Sequence, residues 1–106
     1  MAEQKISAIV IDQRDNVAVA LFAIKRGERV TIRIGEEARE LVAKSDIPFG
    51  HKLAVKDISK GEEIIKYGEV IGRATKDIKV GEHVHIHNVE SLRGRGDLKK
   101  EQTRDQ

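Results

Sequence analysis

Hydrophobic positions come in short runs separated by charged or glycine-containing breaks, a pattern that predicts strands. Lys5–Ile11 is a short apolar run. Asp12-Gln13-Arg14-Asp15-Asn16 breaks it, since Asp and Asn favour turns by bonding to nearby backbone. Val17–Phe22 is continuously apolar, as expected for a strand buried on both faces. Arg26-Gly27-Glu28 turns the chain, and Arg29–Ile34 alternates as a strand that Gly35 ends. Glu36–Lys44 is ambiguous. Its composition favours a helix, yet it is short and lacks a good N-cap, and a strand over Arg39–Lys44 fits equally. Asp46-Ile47-Pro48-Phe49-Gly50 reads as a loop and His51–Val55 as a strand.

The second half contains a repeat. Lys56-Asp57-Ile58-Ser59-Lys60-Gly61-Glu62-Glu63-Ile64 recurs as Lys76-Asp77-Ile78-Lys79-Val80-Gly81-Glu82-His83-Val84, with a weaker echo in Ile24-Lys25-Arg26-Gly27-Glu28-Arg29-Val30. Each copy is an apolar anchor, two residues, then Gly-Glu and a new strand. Many short strands joined by tight glycine turns predict a compact all-β domain.

Gly81–Val89 alternates without a break and predicts one strand. Val84, Ile86 and Asn88 then share one face, and His83, His85 and His87 the other. Three of the four histidines of the chain fall in this stretch. Imidazole titrates near neutral pH and is the commonest metal ligand. Neighbours on one strand face lie roughly 6.5–7 Å apart, so two of the rings can converge on one metal or substrate oxygen. On an extended strand the outer pair lies roughly 13 Å apart, which argues against all three converging. A metal held by this chain alone is disfavoured, because a closed site wants four ligands and there is no cysteine. A solvated row without a role is the plain alternative.

Composition bounds the rest. One domain is expected at this length. Phe22, Phe49 and Tyr67 are the only aromatic residues, so the core must be aliphatic, with Tyr67 placed in the core and its hydroxyl at the rim. Charged residues make up 36% and the net charge is +2, too balanced for a nucleic-acid footprint. Arg93-Gly94-Arg95-Gly96 is a single copy without an aromatic platform. The absence of cysteine is compatible with a cytoplasmic home. Met1–Lys5 leads straight into a strand-like run, which predicts neither a signal peptide nor a membrane span. Residues 1–90 are expected to form the domain, and 91–106, poor in apolar residues, a flexible or partner-ordered tail.

Five pieces in order resemble one family. They are Asp15-Asn16-Val17-Ala18-Val19-Ala20-Leu21; Gly50-His51-Lys52; Asp57-Ile58 with Gly61; Ile65-Lys66-Tyr67-Gly68-Glu69 with Ile71-Gly72; and Gly81-Glu82-His83-Val84-His85 with His87-Asn88. The chain resembles the small subunit, or N-terminal antifreeze-like SAF domain, of altronate dehydratase and its relatives; the small subunit of sulfolactate sulfo-lyase is similar. The resemblance implies a β-clip fold, which favours the strand for Arg39–Lys44. It implies loss of water from a sugar acid to give a 2-keto-3-deoxy acid, with iron(II). It also implies a large catalytic subunit or domain, without which the chain is expected to be inactive. Exposed strand edges make a homo-oligomer plausible.

Elimination next to a carboxylate needs a base, assistance to the departing hydroxide, and positive charge for the carboxylate and enolate. His85, His87, His51 and Lys52 are the catalytic candidates. Asp15, Asn16, Lys66 and Asn88 are candidates for binding substrate, with a turn role open for Asp15-Asn16 and a solvated one for Lys66. His85 and His87 are the candidate metal pair, shared with the large subunit. Two readings of another class compete: a non-catalytic carbohydrate-binding or assembly β-clip, and a metal-delivery module.

Overall fold

The computed structural model describes residues 5–91. The chain runs through β1 (Ala8–Val10), β2 (Val17–Ala20), β3 (Arg29–Ile34), β4 (Glu37–Val42), β5 (Lys52–Ala54), β6 (Glu63–Lys66), β7 (Glu69–Ala74), β8 (His83–Val84) and β9 (Val89–Ser91). There is no helix among the described residues, as the short glycine-punctuated runs predict. The expected tail, 91–106, lies outside the described residues apart from Ser91.

Six strands form one sheet in the order β4-β3-β1-β2-β5-β8, and β6-β7-β9 form a second. Only β1 and β3 run parallel; the other pairs are antiparallel. The larger sheet curls back on itself. The Lys44 N–H, just beyond β4, donates to the Gly81 carbonyl at 2.8 Å, and the Gly81 N–H donates to Ala54 at 2.9 Å. Two aliphatic clusters fill the molecule. Ala8, Ala18, Val30, Ile32, Ile47 and Leu53 anchor one, and Val17, Ile58, Ile64, Ile78 and Val84 the other.

Glu36–Lys44 resolves as a strand. β4 pairs with β3 over six positions from Arg29↔Val42 to Ile34↔Glu37. It begins two residues earlier than expected and its side chains are mostly exposed. As a half-solvated edge strand it shows no burial pattern for sequence to reveal. Val17–Phe22 is shorter than predicted, because β2 ends at Ala20 and Leu21 and Phe22 are exposed. Tyr67 is not a core residue. With Gly68 it forms the two-residue turn between β6 and β7, at φ 58° and 77°. Such a hairpin turn needs positive φ at both positions, which throws the tyrosine ring outward, 51% exposed.

Four turns repeat one plan. Ile24, Ile47, Ile58 and Ile78 are all buried, and they bridge in pairs, Ile24 with Ile47 and Ile58 with Ile78. Three of these turns are visible as the sequence repeat. The fourth, at Ile47, is not, because its flanking residues differ.

Candidate functional site

The predicted single strand over Gly81–Val89 is corrected by the structure. β8 is only His83–Val84, and His85–Asn88 form a turn before β9. Asn88 makes this turn. Its Oδ1 accepts the His85 N–H at 2.9 Å, its Nδ2 donates to the His83 carbonyl at 2.8 Å, and its own N–H donates to the His85 carbonyl at 3.0 Å. A turn in which one side chain satisfies two backbone groups and a third, backbone bond closes the loop outcompetes two more rungs of an edge ladder. Val84 stays buried, while Ile86 moves to the turn tip, 83% exposed.

The turn brings imidazoles together that a straight strand would separate. His83 and His87 have ring centroids 5.2 Å apart, so the outer rings fold back toward each other. β5 runs antiparallel to β8 with Lys52 opposite Val84, which places His51, one residue before β5, beside His85. The His51 and His85 rings stack at 4.1 Å. His51 Nδ1 and His83 Nε2 lie 2.9 Å apart and share a hydrogen bond, one nitrogen donating and the other accepting. Four imidazoles thus form one cluster, and His83, a residue that the sequence reading gave no separate role, stands at its centre.

The cluster borders two cavities. One, of about 300 Å³, is lined by Lys52, Lys66 and His85 with Ile71, Ile86, Val89 and Ser91. The other, of about 180 Å³, has His83 and His87 beside Ser45, Lys76, Asp77 and Glu82. Burial pushes the Lys52 ammonium below its usual value, and the neighbouring charge of Lys66 adds to this. Burial, followed by His87, His51, His85 and Lys52, pushes His83 down to about 4. His85 is pushed down by burial and by His51, Lys52 and His87. His83 and His85 are therefore neutral near pH 7, and only the neutral ring has a lone pair to offer a metal or a proton.

The His83 shift has a sign that can be tested. The unfolded chain takes up this proton near pH 6.5 and the folded chain only near pH 4. The stability of the metal-free chain is therefore complete above about pH 6.5 and falls as pH drops toward 4. His83 is largely solvent-screened, so a loss of roughly 5 °C in Tm is expected across that window. Thermal melts of the wild type against His83→Gln check this; the variant should lose less.

The expected metal pair His85–His87 is not the set that converges. Among the described residues, ligand nitrogens of His51, His83 and His85 all lie within 4.8 Å of one another, whereas His87 meets the cluster through the His83 ring. Three imidazole nitrogens suit iron(II) or zinc and leave coordination positions for other ligands. The residues therefore fit the metal that the family resemblance implies.

The remaining candidates divide. Lys52 and Lys66 line one cavity. Asp15, Asn16 and Asn88 are occupied by backbone. Asp15 is buried, accepting the Gly68 N–H at 2.8 Å and the Asp12 N–H at 3.2 Å. Asn16 clamps β6, donating to the Glu63 carbonyl and accepting the Ile65 N–H. The turn role left open for Asp15-Asn16 is the one these bonds describe.

A small all-strand domain carrying a histidine–lysine face defines a class. The profile of the altronate/galactarate dehydratase SAF domain matches residues 6–92, and the chain belongs to that family. The altronate dehydratase of Bacillus subtilis is 41% identical over 85 residues, covering 80% of this chain and 16% of that enzyme. The (2R)-sulfolactate sulfo-lyase subunit alpha of Chromohalobacter salexigens is 40% identical over 91 residues, covering 83% of this chain and 97% of the subunit. The galactarate dehydratase (L-threo-forming) of Escherichia coli is 40% identical over 75 residues, covering 69% of this chain and 13% of that enzyme. The chain thus spans about a sixth or less of the two dehydratases but nearly all of the sulfo-lyase subunit.

Proposed function

We propose that this chain is the small subunit or N-terminal domain of a sugar-acid hydro-lyase of the altronate dehydratase type. In this reading it lends polar groups to a reaction completed by a larger catalytic part. The observation that carries the reading is the convergence of Lys52, Lys66 and His85 on one cavity, backed by His51 and His83. The two ammonium groups attract the acid group of the substrate and offset the charge that develops on the enolate. His85, held neutral, takes up a proton at a ring nitrogen. The bond between His51 Nδ1 and His83 Nε2 fixes how those rings present their other nitrogens. Were His85 instead to join His51 and His83 in holding iron(II), with further ligands from the larger part, its lone pair would go to the metal, which would supply Lewis-acid assistance to the departing hydroxide, and the proton would pass to another group.

The larger part also has a place to land. Phe49 and Ile86, 70% and 83% exposed, lie on the two segments that carry His51 and His85. Covering these apolar groups would also shield the cluster from water. Replacing both by serine is expected to weaken assembly with the cognate large subunit by at least about tenfold, measured by isothermal titration calorimetry.

The primary test is co-expression with that subunit and assay on altronate. Turnover by the pair and none by either part is the expected result; a chain that binds no large subunit sinks the proposal. A second reading is favoured by the near full-length match to a sulfo-lyase subunit. It places a sulfonated acid in the same lysine-lined cavity, and the same assay with (2R)-sulfolactate distinguishes the two.

A further inference from the structure

The four repeated turns are built alike, and the one that feeds the histidine cluster departs from the plan. In each turn the residue after the glycine donates its N–H to the carbonyl of the residue after the isoleucine: Glu28 to Lys25, His51 to Pro48, Glu62 to Ser59 and Glu82 to Lys79, at 2.9–3.0 Å. Each glycine N–H donates to an alanine carbonyl, Gly27 to Ala43, Gly50 to Ala20, Gly61 to Ala74 and Gly81 to Ala54. The backbones are therefore equivalent.

The side chains are not. Glu28, Glu62 and Glu82 each bend back to accept the N–H of the residue three before, Lys25, Ser59 and Lys79, at 2.9, 2.6 and 2.9 Å. An aspartate before the isoleucine of the paired turn then accepts the next N–H. Asp46 takes Arg26, Asp77 takes Lys60 and Asp57 takes Val80. The Ile47 turn has neither bond. Its residue three before position 51 is Pro48, which has no N–H to cap. The position that would hold the partner aspartate is Ala23. Position 51 carries histidine, the only non-glutamate in the series, and its ring is in the cluster.

We infer that Pro48 is a positioning residue: by withholding the N–H that glutamate caps in the other three turns, it releases position 51 to carry an imidazole to His83 and His85. A proline here also holds φ near −65° without side-chain bonds, which replaces the rigidity that the missing glutamate and aspartate would supply. His51 is on this account the product of one turn converted from a structural clasp to a functional one. The inference deepens the proposed function, but it is read on the isolated chain.

A double-substitution cycle tests it. With Lys at position 48, as at Lys25 and Lys79, His51→Glu restores the cap and is expected to raise Tm by about 4 °C or more. With Pro48 retained, the same substitution has no N–H to meet and is expected to leave Tm unchanged or lower. Equal effects of His51→Glu in the two backgrounds would overturn the inference. The second readout is the imidazole ¹⁵N spectrum of Pro48→Ala. Loss or broadening of the hydrogen-bonded His51 Nδ1 and His83 Nε2 signals is expected, with the β6–β7 amides unmoved. An unchanged imidazole spectrum would remove the positioning role, and it decides alone if the glutamate variants do not fold. Absence of coupling refutes the role of Pro48 whether or not an assembled enzyme turns over a sugar acid.

Discussion

His85→Ala in the assembled enzyme is expected to lower kcat by about 10²–10⁴-fold, the range contributed by a positioned acid–base group. His85 is the imidazole that lines the lysine cavity while stacking on His51 at 4.1 Å. Its side chain carries little of the fold, because the turn it sits in is held by Asn88 through backbone groups of His83 and His85. The Tm of the variant should therefore stay within about 2 °C of wild type. Lys66→Ala should act differently, raising KM by about tenfold through loss of one charge on the acid group. Steady-state kinetics on the purified pair read both. Full turnover by His85→Ala would remove the histidine from the chemistry.

Gly81→Ala is expected to be among the most damaging substitutions for the fold, costing about 3 kcal/mol or more. Two effects add. Gly81 has φ +92°, a region where a Cβ is strained by about 1–2 kcal/mol. A Cβ there would also collide with the Val42 carbonyl oxygen and press on Lys44 Cγ at 3.1 Å, at the point where the larger sheet closes on itself. Overpacking against backbone has nowhere to relax. Gly61→Ala is the matched control, with the same φ of +92° and nothing within 4 Å of the added methyl. It should lose only the conformational part, about 1–2 kcal/mol. Urea denaturation of the two variants separates strain from collision. Equal losses would mean that the close approach of Gly81 to β4 does not matter. Because His83 follows two residues later, Gly81→Ala should also disturb the cluster, whereas Gly61→Ala should not.

Much of the architecture is legible in the chain. Aliphatic runs of three to six residues between glycine turns can bury their side chains only as short strands, and the strand for Glu37–Val42 follows once an all-β fold is accepted. The repeat around Ile58 and Ile78 is legible as two similar glycine turns, and the bridge between their isoleucines is seen in the structure. Alternation misleads at Gly81–Val89. Periodicity reports which side chains could share a face, but Asn88 offers the backbone a better set of hydrogen bonds than continued pairing. Asn88 was itself the available signal for that turn. Asp15 and Asn16 were open to two roles for a related reason: a side chain that bonds backbone and one that bonds a ligand are the same residue type.

The chain by itself determined an all-strand aliphatic domain with repeated glycine turns and a local concentration of imidazole, because strand formation and turn geometry depend on neighbours a few residues away. Tertiary structure decided which imidazoles meet, that His51 joins His83 across 32 residues, and that Lys52 and Lys66 open onto one cavity. Those meetings depend on the register of β5 against β8 and on a turn that reverses the chain after His85. Both are settled by the balance of backbone hydrogen bonds over the whole sheet, which no local pattern records.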